Sequence, residues 1–239
     1  METRVSNSLS VAQPHKKAPQ WLWPLLWGAL LMMSVFAMSA AEPLFRWIEP
    51  DARQVIYDRA GFVTLLGRHL FVVGIAAVVT IIVGVAAGIA VTRRWGSDFL
   101  PLVAQLASLG QTFPPVAVLA LAVPVLGFGT LPIIVALMLY GLLPIVRNTL
   151  AGLQGVEGDI KTAAHAMGIR TSVTINIATA ALGATVGASN LGDPIISGIV
   201  NGNMAYVVQG ALTIALLALT IDSLFEVLQR QLRARISDD

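Results

Sequence analysis

The sequence predicts an all-α, polytopic membrane protein of about six transmembrane helices, on three observations. Hydrophobic residues make up 56% of the chain and charged residues only 12%, with a mean hydropathy of +0.78. A soluble domain carries roughly 25% charged residues, so too little polar surface remains here to cover a globule. The apolar residues gather into long segments whose ends carry arginines and lysines. Those basic residues fall mostly in connections that lie on one side of the membrane when the segments are threaded in order. The chain has no cysteine, which excludes a disulfide framework, a metal thiolate site and a thiol nucleophile. The pI of about 9.3 reflects basic segment ends rather than nucleic-acid binding.

Residues 1–20 are polar, with Arg4, Lys16, Lys17 and two prolines, and are expected to form a cytoplasmic arm. Residues 21–41 are the first apolar segment, opening with Trp21, Trp23 and Trp27 at the level of an interfacial aromatic belt. Ser39-Ala40-Ala41 resembles a signal-peptide cleavage site, but the apolar run exceeds the usual 7–15 residues, so a retained first helix is expected. Residues 42–69 carry charges of both signs up to Arg68 and His69 and read as a periplasmic loop, with a short interfacial helix at its end.

From residue 70 to about 228 the pattern is that of a membrane core. Leu70 to Thr92 is 23 residues without a charge, about 34 Å as a helix and enough to span; Arg93 and Arg94 stop it. Gly84 and Gly88 lie four apart on one face and permit close approach of a neighbour. Phe99 to Leu126 is interrupted by Gln111, Thr112, Pro114 and Pro115. Pro115 lacks an N–H and disfavours helical geometry at Pro114, so the helix must break there. A break at membrane depth is tolerated only against protein or a water-filled cavity, so it is expected to face the bundle interior. Leu131 to Val146 makes a fourth span, with Pro144 near its end and Arg147 as its stop.

The stretch 150–170 is polar between two apolar segments, with Glu157, Asp159, Lys161, His165 and Arg170. It cannot sit in hydrocarbon and must reach an aqueous face, as a plain connector or as a handle for a soluble partner. Thr171 to Val186 is a short fifth segment containing Asn176, and residues 189–203 read as a re-entrant or loop segment. Met204 to Leu224 is the last span, and an amphipathic tail follows over 229–239 with Arg230, Arg233 and Arg235.

With the N-terminus in the cytoplasm, only Arg46, Arg53, Arg59 and Arg68 of the fifteen basic residues lie outside. That asymmetry places both termini and the 150–170 stretch in the cytoplasm. No catalytic constellation emerges. His15, His69 and His165 fall on an arm, an outer edge and an inner loop, so no metal trio is expected. No phosphate-cradling GxxxxGK[ST] run occurs, so any ATP hydrolysis belongs to another polypeptide. Asp222 reads as an interfacial carboxylate near the end of the last span. Asn176 is a mid-span amide, suited to an interhelical hydrogen bond or to a pathway. Gln111, Thr112, Pro114 and Pro115 read as a proline kink or as pathway-lining residues.

The blocks GQTFPPVAVLALAVPVLGFG, LPIIVALMLYGLLPIVRNTLAGLQGV and GATVGASNLGDPIISGI together resemble the permease subunit of osmoprotectant ABC importers, the glycine betaine/choline/carnitine class. The resemblance runs in order from about His69 to the last span. It implies a type I ABC importer permease fold in the bacterial inner membrane, among lipid. Implied partners are a second permease subunit, two cytoplasmic ABC ATPase subunits and a periplasmic solute-binding protein; no nucleic acid, cofactor or metal is implied. The family's E-A-A-x-x-x-G coupling motif corresponds to Thr162-Ala163-Ala164-His165-Ala166-Met167-Gly168, which assigns Thr162, Ala163, Ala164 and Gly168 to ATPase coupling.

Two departures from the family pattern stand out. Thr162 replaces the motif's glutamate. Family members also continue past the motif glycine with a further half-loop, whereas Gly168 here runs straight into Ile169-Arg170-Thr171, residues that resemble a point already inside the fifth span. An internal segment is therefore expected to be missing, and with it efficient coupling. Alternatives within transport are a permease for amino acids such as methionine, an uncoupled remnant subunit, and a secondary carrier, which would need internal repeats and buried ionisable groups.

Overall fold

Gly84 and Gly88 set a close contact between two helices. A Cβ at Gly84 would lie 2.7 Å from the Ile145 side chain, and one at Gly88 2.5 Å from that of Thr149, so these two helices touch backbone to side chain as the four-residue spacing requires. A computed structural model describes residues 21–153 and 158–237, without the side chains of 109–110, 158–167 and 232–237. Its elements are α1 (Leu22–Phe36), α2 (Glu42–Ile48), α3 (Phe62–Thr92), α4 (Leu100–Thr112), α5 (Pro115–Leu126), α6 (Thr130–Leu153), α7 (Gly158–Ala180), α8 (Asp193–Asn201) and α9 (Met204–Ser237). All regular structure among the described residues is helical.

The central slab is α3, α6 and α7, with α9 and α8 packed on one side and α1 laid along α9. Helices α3, α6 and α9 are long and apolar enough to cross a membrane, and the pair α1–α2 makes a fourth candidate if its 85° bend is counted as one broken span. The pair α4–α5 and helix α7 supply shorter segments. Apolar side chains such as Leu65, Ile133, Leu137, Ile177 and Leu191 are fully buried between these elements. Leu25, Phe71, Leu121 and Val125 point outward, as expected where lipid replaces water as the solvent.

Several boundaries differ from the sequence expectation. The short helix in the 42–69 loop stands at its start, as α2, and the loop's last eight residues already belong to α3. The helix of the fourth span does not stop at Arg147, because α6 continues to Leu153. The fifth helix does not begin near Ile169. It runs without a break from Gly158 through the polar stretch to Ala180, then tightens into a 3-10 turn over Ala181–Val186. The 189–203 stretch contains a true helix, α8. The arm 1–20, residues 154–157 and the last two residues lie outside the described residues.

His69, expected at an outer edge of the topology, packs inside the helix bundle. It is fully buried, with Nε2 donating to the Ile177 carbonyl at 3.0 Å. That carbonyl sits where α7 gives way to its 3-10 turn, and the last carbonyls of a helix need partners from elsewhere. Asn190 serves the same end, donating from Nδ2 to the carbonyl of Ala180 at 3.0 Å.

Candidate functional site

Two prolines in different helices create defects that repair each other. Pro144 has no N–H, so the Tyr140 carbonyl one turn earlier loses its helical donor. Gln111 Nε2 donates to that carbonyl at 3.1 Å. At the Pro114–Pro115 break, α4 ends and the Phe113 carbonyl is left over; the Tyr140 hydroxyl donates to it. The break expected from the sequence is therefore real, and it is clamped to α6 by reciprocal side-chain-to-backbone hydrogen bonds. It does not face the bundle interior: Gln111, Thr112, Phe113 and Pro114 are exposed in the single chain and Pro115 is half-buried. Thr112 turns back on its own helix, donating to the Ser108 carbonyl at 3.1 Å.

The neighbouring residue of α6, Gly141, faces the other way. A Cβ there would lie 2.5 Å from Ser172 Oγ and 3.2 Å from both Asn176 Nδ2 and Thr80 Cγ2. The absence of a side chain at Gly141 lets two polar groups of α7 lie against the α6 backbone. Asn176 and Ser172 are fully buried, and neither the amide of Asn176 nor the hydroxyl of Ser172 finds a hydrogen-bond partner among the described residues. Thr149, two turns along α6, is in the same condition. The pathway candidates thus converge on one turn of α6, Gln111 and the proline break through Tyr140, Asn176 through Gly141.

At the other end of α6 lies the coupling candidate. Gly168 is buried, and a Cβ there would come 2.8 Å from the Asn148 Cβ. Its small size is thus used for packing α7 on α6. Thr162, Ala163 and Ala164 fall within α7, and their side chains lie outside the described residues. Two residues past Gly168, Arg170 donates from Nε and Nη2 to the two carboxylate oxygens of Asp222, each at 2.6 Å. Asp222 is thus not a solitary interfacial carboxylate but half of a bidentate pair joining α7 to α9, and such forks are among the stronger charged contacts.

Sequence reasoning also missed Gln209. It is fully buried in α9, accepts from the Tyr57 N–H at 3.0 Å, and donates to the carbonyls of Val55 and Ala205 at 2.5 and 3.0 Å. The long loop between α2 and α3 is thereby tied to the last helix. The signal was present, since Gln209, like Asn176, is an amide within an apolar segment. In that loop, burial pushes the Tyr57 phenol above its ordinary range, and the nearby Asp193 carboxylate pushes in the same direction while Arg59 opposes it.

Residues 80–175 match the family model described as a binding-protein-dependent transport system inner membrane component. The osmoprotectant import permease protein OsmY of Salmonella typhimurium is 37% identical over 187 aligned residues, which cover 69% of this chain and 79% of that protein. The glycine betaine/carnitine/choline transport system permease protein OpuCB of Bacillus subtilis is 34% identical over 188, covering 69% and 85%. OsmW of Salmonella typhimurium is 32% identical over 208, covering 75% and 95%. An alignment 187 long that occupies 69% of 239 residues, about 165, leaves about 22 of its positions without a residue from this chain. The OpuCB alignment shows a shortfall of about the same size.

Proposed function

Because the chain belongs to the family of binding-protein-dependent transport inner-membrane components, we propose that it is the membrane permease subunit of an ATP-driven importer of osmoprotectants, glycine betaine and related quaternary amines. The observation that carries the reading is the extent of similarity to OsmY, which spans 79% of that permease rather than a single motif. The solutes in the relatives' names, glycine betaine, carnitine and choline, favour quaternary amines over amino acids such as methionine. Both termini lie in the cytoplasm and the 49–61 loop faces outward, following the basic-residue asymmetry.

In this reading the pathway forms between this subunit and a second permease subunit, against the exposed side of the Gln111–Pro115 break. Asn176, buried on the opposite side of α6 against Gly141, backs that wall rather than meeting the solute directly, and a discontinuous helix is a common setting for a transported solute. A periplasmic binding protein delivers the solute, and cytoplasmic ATPase subunits, docked near Thr162, Ala163, Ala164 and Gly168, drive the cycle.

A second reading has its own support. The shortfall of about 22 aligned positions and the unbroken run of α7 from the coupling stretch into the span fit a subunit whose coupling helix has lost its hinge. A coupling helix continuous with a span moves only with that span. The test is to solubilise the chain from its own membranes and measure ATPase co-purification together with uptake of labelled glycine betaine. Comparable ATPase and saturable uptake establish the importer. Absence of both, with recovery of both once a full-length loop is inserted after Gly168, establishes the uncoupled subunit.

A further inference from the structure

A cavity of about 380 Å³ opens at the loop end of the bundle, between the 49–61 segment, the Ala181–Val186 turn and α8. That is a normal size for a small-molecule pocket. Its lining carries two opposite charges, Arg59 from the loop and Asp193 from the first turn of α8, with Tyr57, Ile196 and Val200 among the remaining walls. The ion pairs among the described residues are Arg46–Glu42, Arg170–Asp222 and Arg230–Glu226, so neither Arg59 nor Asp193 is neutralised by a salt bridge.

Asp193 is held in place. Ser189 Oγ donates to its Oδ2 at 2.6 Å and the Asn190 N–H to its Oδ1 at 3.3 Å. These contacts account for an acid at the start of α8, where the helix dipole favours one. They do not account for an exposed arginine lining the same cavity. The Tyr57 phenol responds to both charges in opposite directions, which puts all three groups in one neighbourhood.

We propose that this cavity is an outward-facing binding site for a zwitterionic quaternary ammonium solute, with the ammonium head against Asp193 and Tyr57 and the carboxylate on Arg59. A quaternary ammonium has no N–H to donate, so it is held by charge and by apolar or aromatic surface for its methyl groups. A carboxylate is matched by the planar guanidinium fork. Both requirements are met across one cavity, and the half-open setting suits a hand-over site that releases its solute readily. The inference rests on the importer reading and deepens it by naming where on this subunit the solute is first held.

The test uses the full-length chain in lipid nanodiscs, with labelled glycine betaine and labelled choline as probes and uptake in cells measured in parallel. Arg59→Gln is expected to weaken glycine betaine binding about tenfold, the loss of roughly one charged contact, and to leave choline, which has no carboxylate, unchanged. Asp193→Asn is expected to weaken both. Asp193 also orders the start of α8, so the exposed Arg59 is the deciding variant if Asp193→Asn fails to fold. Glycine betaine binding unaltered by Arg59→Gln overturns the cavity, and intact uptake in that variant leaves the importer reading standing. Wild-type chain that neither binds nor imports glycine betaine overturns both. Binding that shifts as expected without any uptake upholds the cavity and points to the uncoupled subunit.

Discussion

The loop end of the bundle and the middle of α6 treat buried polar groups in opposite ways. At the loop end, Gln209 uses both ends of its amide on the backbone of Val55, Tyr57 and Ala205. Asn190 likewise donates to Ala180 and Ala188 and accepts from Gly192. In the middle, Thr149, Ser172 and Asn176 are just as buried yet find no partner among the described residues. Leaving a buried polar group unpaired costs on the order of 1–3 kcal/mol; the two amides of the first region are completed by backbone, with only His69 Nδ1 unpaired beside them among the described residues, whereas three side chains of the second are unpaired. The lesson is that two amides alike in the sequence are used differently: one closes a loop, the other packs unpaired against a glycine of the neighbouring helix.

That contrast can be broken most forcefully at the glycine contact flanking the middle region. Gly88→Val drives a side chain into Thr149, and overpacking of this kind costs about 3 kcal/mol. Thermal unfolding in detergent should show a large drop in midpoint; an unchanged midpoint would mean that α3 and α6 are not in contact at this level. Next comes Gln209→Leu, which orphans the Tyr57 N–H and the Val55 carbonyl. A loss of about 2 kcal/mol is expected, with faster proteolysis of the 49–61 loop as the local readout. The smallest effect is expected from Asn176→Leu, which removes an amide with no partner among the described residues. Stability should stay within about 0.5 kcal/mol or rise while uptake falls. A destabilisation as large as that of Gln209→Leu would erase the distinction between the two regions.

Much of the architecture was legible because membrane burial leaves coarse marks. The glycine pair at 84 and 88, the break at Pro114–Pro115 and the extension of the last helix into its amphipathic tail all follow from local chemistry that a single window of sequence contains. The reciprocal clamp was not legible, because Gln111 and Tyr140 belong to different helices and each answers a defect in the other's backbone. The Arg170–Asp222 fork joins residues 52 apart, and the Gln209 clasp joins residues 152 apart. Pairings at such separation are set by helix packing, which periodicity does not reveal. The start of the fifth helix was misplaced for a different reason. Asp159, Lys161 and Arg170 mark an aqueous stretch, and polarity says where a segment meets water without saying whether its backbone stops being helical.

The last helix runs 34 residues without interruption, about 51 Å, well beyond the roughly 30 Å hydrocarbon thickness. It is gripped near one end by the loop through Gln209 and on its far half by α7 through Asp222. A rod held at two points behaves as a lever. A tilt of about 5° pivoting at Asp222 displaces the far end, about 22 Å on, by roughly 2 Å. A displacement of the 49–61 loop is therefore carried along α9 to its contact with α7.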